Sequence, residues 1–164
     1  MTTWIQMARY AFKVVSGGQT GVDRGALEAA MESGLETGGW CPRGRLAEDG
    51  RIPEQYAVVE FDSGRYEDRT EQNVIDSGAT LVLCRQQLSG GTQYTCEMAE
   101  HHGRPYLVVD PNAPDSISVA RDWLNGTQPV TLNVAGPRES KDAGIQELAR
   151  KWLIRLFSEK DGET

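Results

Sequence analysis

The sequence has few cysteines and no long hydrophobic segment, and each shortage excludes a class of protein. Its three cysteines, Cys41, Cys84 and Cys96, form no CxxC pair, which argues against a disulfide framework or a zinc ribbon and predicts free thiols. No run approaches the roughly 18 consecutive apolar residues of a membrane span. Residues 1–10 are too polar for the apolar core of a signal peptide. We therefore expect a cytoplasmic protein without a membrane partner.

Basic residues are also in short supply. The chain has 17 Lys and Arg residues against 24 Asp and Glu residues, so its formal net charge at pH 7 is −7. Nonspecific binding to nucleic acid requires a basic face, and no nucleic-acid partner is expected. An anionic ligand would have to be held locally, by a few amides and cationic side chains.

Strand-like and helix-like segments alternate along the 164 residues, a length that fits one domain. Strands are predicted at 12–15, 36–39, 57–61, 79–84, 106–109 and 130–134. Helices are predicted at about 23–34, 66–75, 92–102, 116–126 and 140–158, and the rest of 35–53 is predicted to be a loop. The alternation predicts an α/β three-layer fold with a mainly parallel sheet. We expect a single ligand-binding domain over 12–158, an N-terminal extension over 1–11 and a flexible tail over 159–164.

Three glycine-rich turns follow apolar segments, at residues 16–21, 89–92 and 135–138. Because the carboxyl ends of parallel strands open onto one edge of a sheet, the three turns are expected to converge on one ligand. Bare amides and a helix start suit an oxyanion. The predicted ligand-binding residues of these turns are Gly17, Gly18, Gln19, Thr20, Gly21, Ser89, Gly90, Gly91, Thr92, Gly136 and Arg138. The alternatives are ordinary tight turns, and an exposed Arg138 paired with Glu139 or Asp142.

The first turn excludes the two commonest nucleotide motifs. It lacks the Lys-Ser/Thr pair of a Walker A loop, which disfavours an ATPase. Ser16 replaces the first glycine of GxGxxG, which disfavours a dinucleotide dehydrogenase.

Two further segments carry candidate ligand-binding residues. Arg69 and Asn73 are four residues apart and share a helix face, which either points into the cleft or forms a solvated stripe in which Arg69 meets a carboxylate. Trp40 suits a flat anionic heterocycle through stacking, and Arg43 or Arg45 through charge, although ordinary packing of Trp40 is an equal alternative. Cys41, between Trp40 and Arg43, is a candidate contact for a soft metal or a sulfur-bearing ligand, with an inert thiol as the alternative because it has no metal-spaced partners; no metal cluster or nucleophile–base pair is predicted.

Six motifs occur together in one order, namely SGGQTGVDR (16–24), TGGWCPRGR (37–45), AEDG (47–50), RTEQN (69–73), LSGGT (88–92) and NVAGPRES (133–140). Over residues 12–158 the chain therefore resembles the molybdenum carrier family, which includes the molybdenum cofactor carrier proteins. The resemblance implies a Rossmann-like fold, a homo-oligomer (dimer or tetramer), and binding of the molybdenum cofactor (molybdopterin). It also implies protection of the cofactor and its delivery to recipient molybdoenzymes such as nitrate reductase. Molybdate or phosphate is expected to fit the same anion site.

This family is distantly similar to the lysine-decarboxylase-like phosphoribohydrolases. Their Pro-Gly-Gly-x-Gly-Thr-x-x-Glu motif is half present, because alignment on Thr92 puts Thr95 at the position of the glutamate and Glu97 two residues later. The alternative function is therefore a nucleotide N-glycosidase acting on nucleoside monophosphates, with Glu97 as acid or base and Arg69 orienting the phosphate. The missing glutamate favours a carrier over an enzyme.

Overall fold

The computed structural model describes residues 8–158, in which strands and helices alternate except for five short consecutive strands between the first two helices. In chain order the elements are β1 (Lys13–Val15), α1 (Val22–Glu32), β2 (Thr37–Gly38), β3 (Trp40–Cys41), β4 (Leu46–Ala47), β5 (Gly50–Arg51), β6 (Val59–Glu60), α2 (Tyr66–Ile75), β7 (Ala79–Leu83), α3 (Gly90–His101), β8 (Tyr106–Val109), α4 (Ser116–Thr127), β9 (Thr131–Ala135) and α5 (Ile145–Phe157).

The central sheet has five strands in the order β2-β1-β9-β7-β8, and every neighbouring pair is parallel. The last strand of the chain, β9, lies between β1 and β7, with Leu132 opposite Val14 and Val134 opposite Leu81. All five residues of β7 are buried, as expected for a parallel sheet covered on both faces. The carboxyl ends of β1, β9 and β7 are therefore neighbours.

Helices cover both faces of this sheet, which confirms the predicted three-layer α/β fold of Rossmann-like type. On one face, Leu81 and Leu83 share a core cluster with apolar side chains of α1, α4 and α5. On the other face, Val82 and Cys84 pack against Cys96 of α3. The apolar side chains of the last helix are buried at Ile145, Ala149, Trp152, Leu153, Leu156 and Phe157, and Leu148 is partly buried.

The predicted loop over 35–53 contains more structure than expected. Strands β4 and β5 form an antiparallel hairpin, and β3 pairs with β6 in a separate parallel ladder. The buried guanidinium of Arg45 holds this region together by donating hydrogen bonds to four carbonyl oxygens, those of Ile52, Pro53, Tyr56 and Val58. Strands of two residues are too short to show an alternating pattern, so the sequence does not reveal them.

The last helix begins at Ile145 and not at Ser140, which corrects the predicted start. Gly144 has φ 89°, in the left-handed region, and interrupts the helical backbone. Asp142 accepts two hydrogen bonds of 2.8 Å from Arg85, which fixes the segment before the helix.

The two ends of the described chain meet. Ala8 forms a β-bridge with Ser158, and the N–H of Arg9 donates to the carbonyl of Phe157. Residues 1–7 of the expected extension and the expected tail over 159–164 lie outside the described residues. Among the described helices, none has both the length and the apolar character needed to cross a membrane.

Candidate functional site

A cleft of about 370 Å³ opens at the carboxyl ends of β1, β9 and β7, where the three glycine turns meet. The predicted residues that line it are Gly17, Gln19, Arg69, Asn73, Ser89, Gly90, Gly91, Thr92, Gly136 and Arg138. The predicted residues that are not part of its lining are Gly18, Thr20, Gly21, Trp40, Cys41 and Arg43. The turns of three strands that are distant in sequence thus share one cavity.

The second turn presents free backbone amides to the cleft. Helix α3 begins at Gly90, two residues before the predicted start, and Ser89 gives it no side-chain cap. Within the described residues, the N–H groups of Gly90, Gly91 and Thr92 donate no hydrogen bond. A Cβ atom built on either glycine would meet no atom within 4 Å, so the space beside these amides is open. A helix N-terminus with free N–H groups attracts anions.

The first turn uses most of its amides within the protein. The N–H of Gln19 donates to the Asp23 carboxylate at 3.2 Å, and the N–H of Thr20 donates to Oε1 of Gln19 at 3.1 Å. The N–H of Gly21 donates to Oε1 of Gln146 at 3.1 Å. The main-chain donors predicted for a ligand at these three positions therefore already have acceptors. The Gln19 side chain lines the cleft, and its Nε2 donates no hydrogen bond within the described part of the chain.

An arginine from α2 occupies the space beside Gly17. A Cβ atom at this position would lie 1.1 Å from Nη1 of Arg69. The Arg69 guanidinium is buried and meets the Asp23 carboxylate at 3.4 Å, while its Nε has no hydrogen-bond partner. Burial raises the pKa of Asp23, and the charge of Arg69 opposes that rise. Arg69 thus lies in the cleft, as the first alternative expected, and it also meets a carboxylate, but Arg69 and Asn73 are buried and do not form the solvated stripe of the second alternative.

The third turn carries an arginine without an ion-pair partner among the described residues. Both proposed partners of Arg138 are engaged elsewhere, because Asp142 binds Arg85 and the Glu139 carboxylate accepts the N–H groups of Gly144 and Gln146. The half-buried Arg138 guanidinium remains in the cleft lining. This arrangement disagrees with the exposed, paired Arg138 of the alternative interpretation.

Gly136, in the same turn, is required for packing. A Cβ atom there would lie 2.4 Å from the carbonyl oxygen of Leu83 and 2.5 Å from the Val22 side chain. The close approach of turn and strand therefore depends on glycine, whether or not a ligand is bound.

Trp40 is not part of the cleft lining. The backbone N–H of Trp40 donates to Oδ1 of Asn73 at 2.8 Å, and the backbone carbonyl of Trp40 accepts from Nδ2 of Asn73 at 3.0 Å. The side-chain amide of Asn73 therefore binds the backbone of Trp40. The indole donates to Asp76 at 2.8 Å and meets the Phe61 ring edge-on at 5.5 Å. Ordinary packing accounts for these contacts.

Cys41 and Arg43 are also directed elsewhere in this conformation. Cys41 is fully buried beside Leu27 and Ile52, and burial raises the pKa of its thiol. The exposed Arg43 lies 3.9 Å from Asp62. Among the described residues, no group of three or more His, Cys, Asp or Glu side chains is arranged to hold a metal ion.

Several lining residues were not predicted, and Tyr66 is the most informative of them. The Cζ atoms of Arg69 and Arg138 lie 5.6 and 5.9 Å from the centre of its ring, within the range of cation–π attraction. Tyr66 precedes Arg69 by three residues on the same helix, so helical spacing could have indicated it. The other residues missed are Asp23, Thr70, Cys84, Gln86, Gln87, Thr95, Asn133, Val134, Ala135, Pro137 and Lys141.

The charges of the lining favour an anion. Arg69, Arg138 and Lys141 line the cleft, and Asp23 is the carboxylate among its lining residues. Glu97, the candidate acid or base of a hydrolase, is exposed and is not part of the lining. Thr95, at the aligned position, donates its hydroxyl to the carbonyl of Gly91 at 2.9 Å. The arrangement can bind an oxyanion, and the carboxylate that lines the cleft, Asp23, is ion-paired with Arg69.

Glu48, on the turn between β4 and β5, ties the first and third turns together. Its carboxylate accepts the Thr20 hydroxyl at 2.7 Å and the Ser140 hydroxyl at 2.6 Å. Thr20 in turn accepts the N–H of Glu139 at 3.1 Å. Partial burial opposes ionisation of Glu48, but the hydrogen bonds from Ser140 and Thr20 outweigh it and lower its pKa.

Comparison with known proteins agrees with this architecture. The model of the circularly permuted YpsA SLOG family matches residues 14–157. A crystal structure of a protein from Syntrophus aciditrophicus SB, named "Putative molybdenum carrier protein", superposes with a TM-score of 0.85. The two sequences are 39% identical, and the match covers 89% of this chain and 94% of the other. Among curated proteins, none matches this chain. The two matches confirm the resemblance that the six sequence motifs indicate.

Proposed function

Because this chain belongs to the circularly permuted YpsA SLOG family, we propose that it is a carrier that binds the molybdenum cofactor, protects it and delivers it to molybdoenzymes. The observation that carries the proposal is the cleft itself, in which the free amides of α3 face the same space as the Arg138 guanidinium. The name of the 39% identical structure, a molybdenum carrier, supports molybdenum as the element carried.

The cargo is anionic, and the residues of the cleft supply complementary donors. The amides of Gly90, Gly91 and Thr92 and the helix dipole of α3 suit its phosphate group. Arg138 supplies a planar pair of N–H donors for a second oxyanion, and Gln19 adds a neutral donor at the first turn. Binding requires no bond cleavage, and the composition of the lining fits that task.

The nucleotide N-glycosidase is less well supported than the carrier. A glycosidase of this type needs a carboxyl group beside the scissile bond. Asp23 is the carboxylate in the lining, and it is held by Arg69 and by the amide of Gln19. Incubation with nucleoside monophosphates followed by chromatography should give no free base, whereas release of base would establish the hydrolase.

Fluorescence titration of the purified protein with the pterin cofactor tests the carrier function. Arg138→Gln should weaken binding by about 1.5–3 kcal/mol, roughly 10- to 150-fold, if the arginine donates a charged hydrogen bond. Arg43→Gln removes the same charge from the exposed segment outside the cleft lining and should leave affinity unchanged. Affinity no greater than that of an unrelated acidic protein would exclude the carrier function.

Delivery and assembly are part of the same proposal. The loaded protein should activate a cofactor-free molybdoenzyme, such as a nitrate reductase, in a direct transfer assay. Light scattering should give the mass of a dimer or tetramer. Transfer no faster than that of free cofactor would limit the protein to storage.

A further inference from the structure

We propose that Tyr66 positions Arg69 and Arg138 as a pair and that the cleft thereby selects a tetrahedral dianion over a monoanion of the same shape. The relevant dianions share one chemistry, that of molybdate and of a phosphate group. This inference rests on the proposed function, since it specifies which part of the cargo the arginines recognise.

The two arginines reach Tyr66 from different parts of the fold. Tyr66 begins α2 and Arg69 lies one helical turn later, whereas Arg138 follows β9. Their guanidinium carbons lie over the same ring, at 5.6 and 5.9 Å from its centre. All three residues line the cleft. A contact between residues 72 positions apart in sequence thus brings two cations to one aromatic side chain.

The cleft has more positive than negative charge before a ligand arrives. Asp23 pairs with Arg69 at 3.4 Å. Arg138 and Lys141 have no ion-pair partner among the described residues, and Glu48, whose carboxylate feels the charge of Arg138, uses its oxygens on Thr20 and Ser140. The three cations and one carboxylate of the lining leave two net positive charges for a ligand, and Arg69 still has an Nε without a hydrogen-bond partner. A dianion balances both, whereas a monoanion leaves one of them unpaired.

Tyr66 acts on the ligand through the arginines. The two guanidinium groups, whose Cζ atoms lie 5.6 and 5.9 Å from one ring centre, carry like charges that repel, and the negative face of the aromatic ring offsets that repulsion. The Tyr66 hydroxyl forms no hydrogen bond within the described residues, so the ring alone supplies the effect. Tyr66 is therefore a positioning residue, and phenylalanine should replace it without loss.

The experiment compares inorganic anions by calorimetry, using the full chain at constant ionic strength and pH 8. Molybdate and phosphate are the dianions, and perrhenate is the tetrahedral monoanion. The dianions should bind about 10- to 100-fold more tightly than perrhenate. If molybdate alone binds, the two arginines recognise the metal oxyanion of the cargo. If phosphate binds as well, they also recognise its phosphate group.

Variants then test the role of the ring. Tyr66→Phe should keep the dianion-to-monoanion ratio, and Tyr66→Leu should reduce it to about threefold or less. Tyr94→Leu changes a tyrosine of α3 that is not in the cleft lining and should keep the ratio. Thermal unfolding followed by circular dichroism shows which variants are folded. The comparison of dianion and monoanion affinities in the wild-type protein does not depend on any variant.

Two results would overturn the inference. Equal affinity of the wild-type protein for perrhenate and molybdate would remove charge selection, and a folded Tyr66→Leu variant with an unchanged ratio would remove the positioning role. Either result, with cofactor binding intact, leaves the carrier function in place. Conversely, dianion selection without cofactor binding would support this inference and overturn the carrier.

Discussion

Replacing Gly91 with alanine should make the protein more stable and a weaker binder. Gly91 is the second residue of α3, its φ is not positive, and a Cβ atom there would meet no atom within 4 Å. Alanine therefore fits without strain. Because glycine loses more backbone entropy on folding, the free energy of unfolding should rise by about 0.5 kcal/mol, with about 1 kcal/mol as the upper limit.

The effect on binding should have the opposite sign. The new methyl group would stand in the open space through which an anion approaches the amides of α3. Loss of one charged hydrogen bond to the ligand would cost about 1.5–3 kcal/mol, which corresponds to about 10- to 150-fold weaker binding. If the variant is more stable and yet binds more weakly, it has lost a direct contact with the ligand, because damage to the fold would have lowered its stability.

Gly126→Ala provides the matched control. Gly126 lies in α4, lacks a positive φ and would also have no atom within 4 Å of an added Cβ, but it is not in the cleft lining. Urea unfolding should show a similar gain for both variants, and phosphate titration should show a loss for Gly91→Ala alone. If Gly91→Ala binds phosphate like the wild type, the amides of α3 do not contact the anion. If it is destabilised, alanine does not fit the turn and the reasoning from backbone entropy is refuted.

Two further changes test the support of the cleft. Gly17→Ala should displace the Arg69 guanidinium, separate the buried Asp23 pair and lower the free energy of unfolding by about 3 kcal/mol, measured in urea; an unchanged value would show that Arg69 moves aside freely. Glu48 has a lowered pKa in the folded state, so its stabilising effect is complete above its unfolded pKa near 4.5 and disappears as the pH falls through the lower folded value. Glu48→Gln should therefore lose less stability than the wild type between pH 5 and pH 3, and parallel pH profiles would contradict this role.

The sequence predicts the sheet and helices well because each depends on a local pattern. Continuous burial of β7 and the apolar stripe of α5 are visible within a few residues. The start of α5 is harder to predict, because the segment before it is held by a hydrogen bond from Arg85 to Asp142, and Arg85 lies 57 residues earlier in the chain. The hairpin of β4 and β5 depends on Arg45, whose carbonyl partners give no sequence signal.

The sequence predicts those parts of the site that lie at the carboxyl ends of the parallel strands. Convergence of three turns required only a parallel sheet, and the observed order places β1, β9 and β7 side by side. Which donors remain free depends on distant acceptors, such as Gln146 for the amide of Gly21. The position of Trp40 similarly depends on Asn73, 33 residues later. Long-range hydrogen bonds of this kind leave no periodic trace in a single sequence.

The place of β9 in the sheet has a consequence for how the protein is made. During synthesis, β1, β7 and their turns emerge early, but the strand that joins them is the last of the central sheet to leave the ribosome. Until then β1 and β7 each have an unpaired edge, and such edges are prone to associate with other chains. Pairing across this sequence distance is also slow. A nascent chain therefore has no complete cleft, and a ligand could bind there only after nearly all of the described residues have been synthesised.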